Sequence, residues 1–340
     1  MTNAIETKHV PDALRQAYQS HHLAPLWESP TAHKLDMERE KTQLWAWADM
    51  EPIIAGTAKI GSPEVVERRV LSLVNRKSKS PEDEATCGLV NACYQSLLPG
   101  ERARPHRHSM NALRFVLSGE GAKTIVDGKE CPMEYGDLVI TPAWTWHEHV
   151  HDGEGQFIWL DVLDVALHLQ LGTDAFQPGP VNEMPPRLAD SVYGTANILP
   201  VRYDELQGYS PVFRYAYGDT AKALAKAPAG PDGARRIRYS NPTTGGPAMT
   251  MLDCTMMALD GGTETSRPFR SSASTVCCVV KGEGKSVIGG ETIKWKQRDV
   301  FTLPSNDWAT HRALSDAEIF MVSNRDVYRQ LGLLKEEFGE

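Results

Sequence analysis

A stretch of thirteen residues occurs twice in this chain, and that recurrence limits what it can fold into more than any other feature. Asp137-Leu-Val-Ile-Thr-Pro-Ala-Trp-Thr-Trp-His-Glu-His149 returns as Asp299-Val-Phe-Thr-Leu-Pro-Ser-Asn-Asp-Trp-Ala-Thr-His311, with the aspartate, proline and tryptophan in matching places. Upstream of each copy, Gly119-Glu-Gly-Ala-Lys reappears as Gly282-Glu-Gly-Lys. Self-similarity of this kind marks a duplicated structural unit. The surrounding texture is β: Phe115-Val-Leu, Thr124-Ile-Val, Leu138-Val-Ile-Thr and Phe157-Ile-Trp-Leu are short apolar runs between Gly and Asp turns, and Val126-Asp-Gly-Lys reads as a hairpin turn. Evenly spaced short strands predict a sandwich or barrel for each copy.

The repeats divide the 340 residues. Residues 1–85 read as a helical and irregular extension, with helical spacing from Asp12. Residues 86–168 are the first β unit, and 169–245, rich in Pro, Gly and Ala, a linker with a helix around Asp219 to Ala227. Residues 246–325 are the second β unit, and 326–340 a terminal helix. A length of 340 with 41% hydrophobic residues suffices for two ordinary cores. A net charge of −8 without a Lys/Arg run speaks against nucleic-acid binding. No apolar run is long enough to span a bilayer, and the N-terminus has no signal-peptide character, so a cytoplasmic protein is expected. The six cysteines include no CxxC, which favours buried reduced thiols over a zinc site or disulfides.

Five of the eleven histidines fall between 106 and 151, and four form the pairs His106-Arg-His108 and His147-Glu-His149. Residues two apart in a strand share a face, so each pair can turn both rings inward. Imidazole is a common ligand for Fe, Zn, Cu and Ni, and the alternative is a set of exposed or core-bonded rings. Gly100 with His106 and His108, and Gly136 with Pro142 and His147, resemble the two motifs of the cupin superfamily. The glutamate usual in the first motif is missing from Ser109-Met-Asn-Ala-Leu-Arg114, and Glu148 alternates away from His147, leaving a three-histidine site. In a gap-free alignment the second copy has Pro268, Arg270 and Ala309 in place of His106, His108 and His147, so one metal site is expected. Three neutral ligands leave a divalent ion its full charge, which suits an anionic, chelating substrate such as a 2-hydroxybenzoate.

Most of the chain resembles the gentisate 1,2-dioxygenase family, which includes salicylate and 1-hydroxy-2-naphthoate dioxygenases. The resemblance is carried by His21-His-Leu-Ala-Pro-Leu-Trp27, Arg68-Arg-Val-Leu71, Pro105-His-Arg-His108, Ala112-Leu-Arg-Phe115, Thr141-Pro-Ala-Trp-Thr-Trp-His-Glu-His149 and Trp159-Leu-Asp-Val-Leu-Asp164. It implies an all-β bicupin, two double-stranded β-helix barrels with a helical extension and short flanking helices. It also implies Fe(II) on His106, His108 and His147, a homotetramer, and ring cleavage by O₂ between C1 and C2, gentisate giving maleylpyruvate.

By the same resemblance, Arg114 pairs with the substrate carboxylate, His149 contacts substrate or oxygen and moves protons, and Asp161 orients His149. Gln95 and Arg69 match further pocket residues. Asn91 and Cys93 stand where the family commonly has an aromatic and a small residue, so they are expected at the pocket wall. Salicylate, a 5-substituted salicylate or 1-hydroxy-2-naphthoate are the alternative substrates. A metal-dependent cupin isomerase or hydrolase, or a non-catalytic binding bicupin, are the alternative classes.

Overall fold

A computed structural model of the chain describes residues 11–26, 40–66, 68–76, 85–181, 187–195, 198–201 and 208–340. Residues 1–39 form one compact unit and 40–340 another. The described part of the first unit carries helix α1 (Asp12–Ser20), where the helical spacing predicted one. Trp27, the last residue of the aligned block that begins at His21, lies outside the described residues.

The second unit opens with β1 (Leu44–Trp45), α2 (Trp47–Thr57), α3 (Pro63–Val66) and β2 (Val70–Ser72). The first repeat then runs β3 (Asn91–Leu97), β4 (Arg102–His108), β5 (Ala112–Ser118), β6 (Ala122–Val126), β7 (Lys129–Met133), β8 (Leu138–Thr141), β9 (His147–His151) and β10 (Phe157–Leu163). Between the repeats come α4 (Val165–Leu171), β11 (Phe176–Pro178), β12 (Arg214–Tyr215), α5 (Tyr217–Lys226) and β13 (Arg235–Arg238). The second repeat follows as β14 (Asp253–Leu259), β15 (Phe269–Ser271), β16 (Thr275–Lys281), β17 (Glu283–Ile288), β18 (Glu291–Lys296), β19 (Val300–Leu303), β20 (Ala309–Ala313) and β21 (Ala317–Ser323). Helix α6 (Arg325–Gln330) and β22 (Glu336–Phe338) close the chain.

Each repeat is two antiparallel sheets. The first has β12-β8-β5-β10-β3-β2 and β11-β4-β9-β6-β7; the second has β1-β19-β16-β21-β14-β13 and β22-β15-β20-β17-β18. The orders correspond strand for strand, so the duplication seen in sequence is a duplication of architecture, an all-β bicupin. Its repeated glycines have a steric reason. Gly119 (φ +99°) and Gly282 (φ +84°) end equivalent strands, and a Cβ there would lie 2.7 Å from Phe157 Cα and 2.3 Å from Asp316 O. Only glycine fits both the conformation and the space.

The two six-stranded sheets stack face to face. Tyr94, Leu113, Phe115, Leu160 and Val162 of the first pack in one core with Met256, Val276, Cys278, Phe320 and Val322 of the second. The Phe115 and Phe320 rings lie 4.1 Å apart and nearly parallel. By strand alternation, the opposite face of the first repeat's sheet carries Cys93, Gln95, Arg114 and Asp161 toward the sheet that holds the histidines.

Two expectations change here. The terminal helix stops at Gln330, because Gly332 adopts φ +71°, and the following segment pairs as β22 with β15. The gap-free alignment slips by one residue: Phe269 pairs with Ala309 as His106 pairs with His147. The residues standing for His106 and His108 are therefore Phe269 and Ser271, not Pro268 and Arg270. An extra residue in the irregular stretch before β15 caused the slip. All six cysteines are free and buried.

Candidate metal centre

His106 and His108 come from β4 and His147 from the neighbouring β9, where the His106↔His147 rung places two rings side by side. One nitrogen of each ring lies within 4.8 Å of the others, and all three residues are buried. Backbone carbonyls fix the tautomers. His106 Nδ1 donates to Arg104 O at 2.9 Å, His108 Nδ1 to Met110 O at 2.8 Å, and His147 Nδ1 to Thr145 O at 3.0 Å. Each Nε2 is thereby left unprotonated, with a lone pair that a metal can take; that of His106 here accepts from Arg68 Nη1 at 3.0 Å. His147 Nε2 is buried with no hydrogen-bond partner, an orphaned acceptor of the kind a metal ligand leaves when no ion is counted. Burial, aided by the Arg68 charge, pushes His106 down to about 3, and burial with weaker like-charge effects pushes His108 down to about 4. His147 and His149 are also lowered, by burial first and the Arg114 charge second. Neutral imidazoles at ordinary pH are what a divalent cation requires. The donor set fits a transition metal.

Behind the triad lies a polar rung, Cys93↔Asp161↔Arg114 across β3, β10 and β5. Arg114 Nη1 donates to Thr141 Oγ1, and its Nε stands 3.2 Å from Asp161 Oδ1 as an ion pair without hydrogen-bond alignment. Asp161 thus holds Arg114. It does not orient His149, whose Nδ1 lies 2.9 Å from Thr124 Oγ1. The His149 Nε2 and the Gln95 Nε2 are buried without partners. Burial raises the Cys93 thiol's pKa, and the nearby Asp161 raises it further.

Two other expected pocket residues, Arg69 and Asn91, are engaged with partners in the protein. Arg69 turns to Glu101 and to the carbonyl of Ala58, while Arg68 reaches His106 Nε2 at 3.0 Å. Adjacent arginines ahead of a three-residue strand give no parity signal, so sequence could not choose between them. Asn91 is half-buried, and its Oδ1 accepts the Ala166 N–H at 2.9 Å in the first turn of α4. Reasoning from sequence also missed Phe176, whose ring stacks on His106 at 5.5 Å and lies under Arg68. It sits in the Pro- and Gly-rich segment between repeats, where nothing local marks it. A groove of about 820 Å³ reaches His106 and His147 beside Phe176 and Pro178.

The second repeat has lost this chemistry. Its equivalent rung is Thr255↔Met321↔Cys277, and Met257, Ile319, Trp295 and Phe301 fill the interior. His311 survives at the place of His149, with Nδ1 2.8 Å from Ser286 Oγ.

Two stacked cupin units, of which the first brings together a histidine triad and a buried guanidinium, define a bicupin with one candidate metal centre among the described residues. The comparisons with known proteins agree with that class and narrow it. A cupin-domain profile matches residues 93–163. The chain is 35% identical to gentisate 1,2-dioxygenase 1 of Aquipseudomonas alcaligenes, over 94% of this chain and 93% of that protein. It is 32% identical to 5-aminosalicylate 1,2-dioxygenase of a Comamonas species, over 96% and 90%. The crystal structure of salicylate 1,2-dioxygenase from Pseudoaminobacter salicylatoxidans with gentisate superposes with a TM-score of 0.90 at 28% identity, over 99% of this chain and 97% of that one. The chain belongs to the gentisate 1,2-dioxygenase family of ring-cleaving dioxygenases.

Proposed function

We propose that the protein cleaves gentisate between C1 and C2 with both atoms of O₂, using Fe(II) on His106, His108 and His147 Nε2. The carrying observation is the triad itself: three Nε2 lone pairs converge while every Nδ1–H is committed to a carbonyl. Bound iron would supply a Lewis-acidic, redox-active centre for a chelating 2-hydroxybenzoate and for O₂.

The chain's own residues do the rest. Arg114, fixed through Nη1 and Nε, keeps Nη2 for the substrate carboxylate. Arg68, which now donates to His106 Nε2, would have to turn from that nitrogen if iron takes it, and is close enough to Arg114 to act as a second cation for the same carboxylate. His149, its Nδ1–H directed at Thr124, offers Nε2 as an acceptor for the substrate's ring hydroxyl proton. Gln95 Nε2 and the Cys93 thiol face the ring from the same sheet. Asn91, engaged with α4, removes the stacking surface that an aromatic residue would supply there, which favours 5-amino- or 5-nitrosalicylate as the second reading. The first repeat is then the catalytic unit and the second the structural one. The homotetramer that the resemblance implies belongs to this reading, and exposed Ile53, Ile60, Val65, Leu169 and Leu171 offer apolar surface for self-association. Among the described residues no helix is long and apolar enough to cross a membrane, and we place the enzyme in the cytoplasm.

Oxygen uptake by Fe(II)-loaded protein, across gentisate, salicylate, 5-amino- and 5-nitrosalicylate and 1-hydroxy-2-naphthoate, tests this. Equimolar O₂ and gentisate consumption is expected. His108→Ala loses iron and turnover together, and Arg114→Ala keeps iron while substrate affinity falls. Absence of O₂ uptake with every compound rejects the reading.

A further inference from the structure

The carbonyls that fix two of the three rings belong to two different turns, and one side chain ties those turns together. Met110, whose carbonyl holds His108 Nδ1, precedes Asn111; Thr145, whose carbonyl holds His147 Nδ1, lies in the turn that begins at Pro142. Asn111 donates its backbone N–H to Asp164 Oδ1 at 2.9 Å and its side-chain Nδ2–H to Asp164 Oδ2 at 2.8 Å. Its Oδ1 accepts the Ala143 N–H at 3.1 Å, and Trp144 N–H returns to His108 O at 2.8 Å. Asp164 is 2% exposed. A carboxylate so buried is costly unless its oxygens are satisfied, and here Asn111 takes both.

The second repeat is an internal control. Ala112↔Leu163 and Thr275↔Ser323 are equivalent rungs, so Ser274 and Asn324 stand where Asn111 and Asp164 do. The backbone bond persists, Ser274 N–H to Asn324 Oδ1 at 3.0 Å. Serine is too short to make the other two, and Asn324 Nδ2 is buried without a partner. Where the histidine ligands are gone, the side-chain tie is gone as well.

We propose that Asp164 and Asn111 form a clamp that sets the ring orientations of His108 and His147 by locking their two turns together. They are positioning residues, and the proposal rests on the triad being a metal site. Outer partners of metal ligands act in this way, by removing rotational freedom from the ligand.

Reciprocal exchange tests it. Asp164→Asn sets amide donors against the Asn111 amide, and Asn111→Asp sets two buried carboxylates together. The double exchange can restore all three bonds, with donor and acceptor swapped in the side-chain pair and the two backbone N–H groups still donating to a side-chain oxygen. Co(II) is titrated into metal-free protein and followed by its visible absorption, with the thermal midpoint of the metal-free form measured alongside. Each single exchange should weaken Co(II) binding by about ten- to a hundredfold, and the double should return to within about threefold of wild type. Asn111→Ser, the second repeat's residue, should show the same loss and covers the case in which a buried charge prevents folding. Folded single variants that bind Co(II) as wild type does would overturn the clamp, as would a double exchange that regains thermal stability but not affinity. Wild-type protein that binds no Co(II) removes the metal reading and the clamp together.

Discussion

Desolvating a guanidinium costs several kcal/mol unless it is paired, and on the two flanking strands Thr141 accepts a hydrogen bond from Arg114 while Asp161 offsets its charge. The pairing explains why Asp161 was legible as a site residue but not in its role: which carboxylate faces which cation depends on strand order, and β5 and β10 are neighbours 40-odd residues apart in sequence. The histidines were legible through HxH parity and the flanking Gly and Pro spacing, and their state makes a pH prediction. His106 and His108 have folded values of about 3 and about 4, below the usual 6.5. As pH falls from 6.5 toward 4 the unfolded chain takes up protons that the folded one refuses, so their stabilisation is complete above 6.5 and drains away below it. Each contributes a slope of up to about 1.4 kcal/mol per pH unit in that window. Buried Asp161 and Asp164, whose pKa values are raised by burial, act in the opposite sense, so the comparison is made between variants. In urea unfolding of metal-free protein between pH 6.5 and 4.5, His108→Gln should flatten the mean slope by about 1 kcal/mol per pH unit. A slope equal to that of wild type would contradict the neutral buried ring.

At the scale of elements, the regular strands were readable because β-branched and apolar runs alternate between Gly and Asp turns, and the Asp127-Gly128 turn shows the left-handed angles, φ +45° and +78°, that such a hairpin needs. The shortest edge strands were not readable. β1 and β12 have two residues each and β2, β11 and β22 three, too few for a period, and they are strands only because a longer neighbour offers a free edge. What joins the two large sheets is apolar matching, with Phe320 at its centre between Phe115 (4.1 Å) and Tyr239 (5.9 Å). Phe320→Ala removes a fully buried ring from both sheets at once and should cost about 3–5 kcal/mol. Because Phe320 touches no residue of the metal centre, metal affinity of the folded variant should stay as in wild type. Denaturant titration and Co(II) binding on the same preparation check both halves, and a loss under 1 kcal/mol, or a coupled loss of affinity, would refute this account of the interface.

Taken whole, the repeats are not independent beads on a linker, although the sequence divides that way. The segment before the first repeat serves the second: β1 pairs with β19, and Asp299 Oδ1 accepts the N–H of Trp47 at the start of α2 at 2.7 Å. The segment after the first repeat returns to it: β11 pairs with β4, β12 with β8, and Asp137 Oδ1 accepts the N–H of Tyr217 at the start of α5 at 2.8 Å. The repeated aspartate that first betrayed the duplication thus does the same work in both copies, seating the first residue of a helix with one oxygen and closing its own turn with the other. Each repeat depends on a stretch of chain outside its own boundaries, and the first also loses Phe176 from beside His106 if cut at 168. Residues 86–168 alone would expose Tyr94, Leu113, Phe115, Leu160 and Val162 together, a patch that a lone domain does not carry in water. Expressed alone, that segment should show no cooperative unfolding transition and should bind a hydrophobic dye, whereas residues 40–340, which contain every partner named here, should unfold cooperatively. A cooperative transition in 86–168 would mean that the first repeat is autonomous and that the exchanged segments decorate it without supporting it.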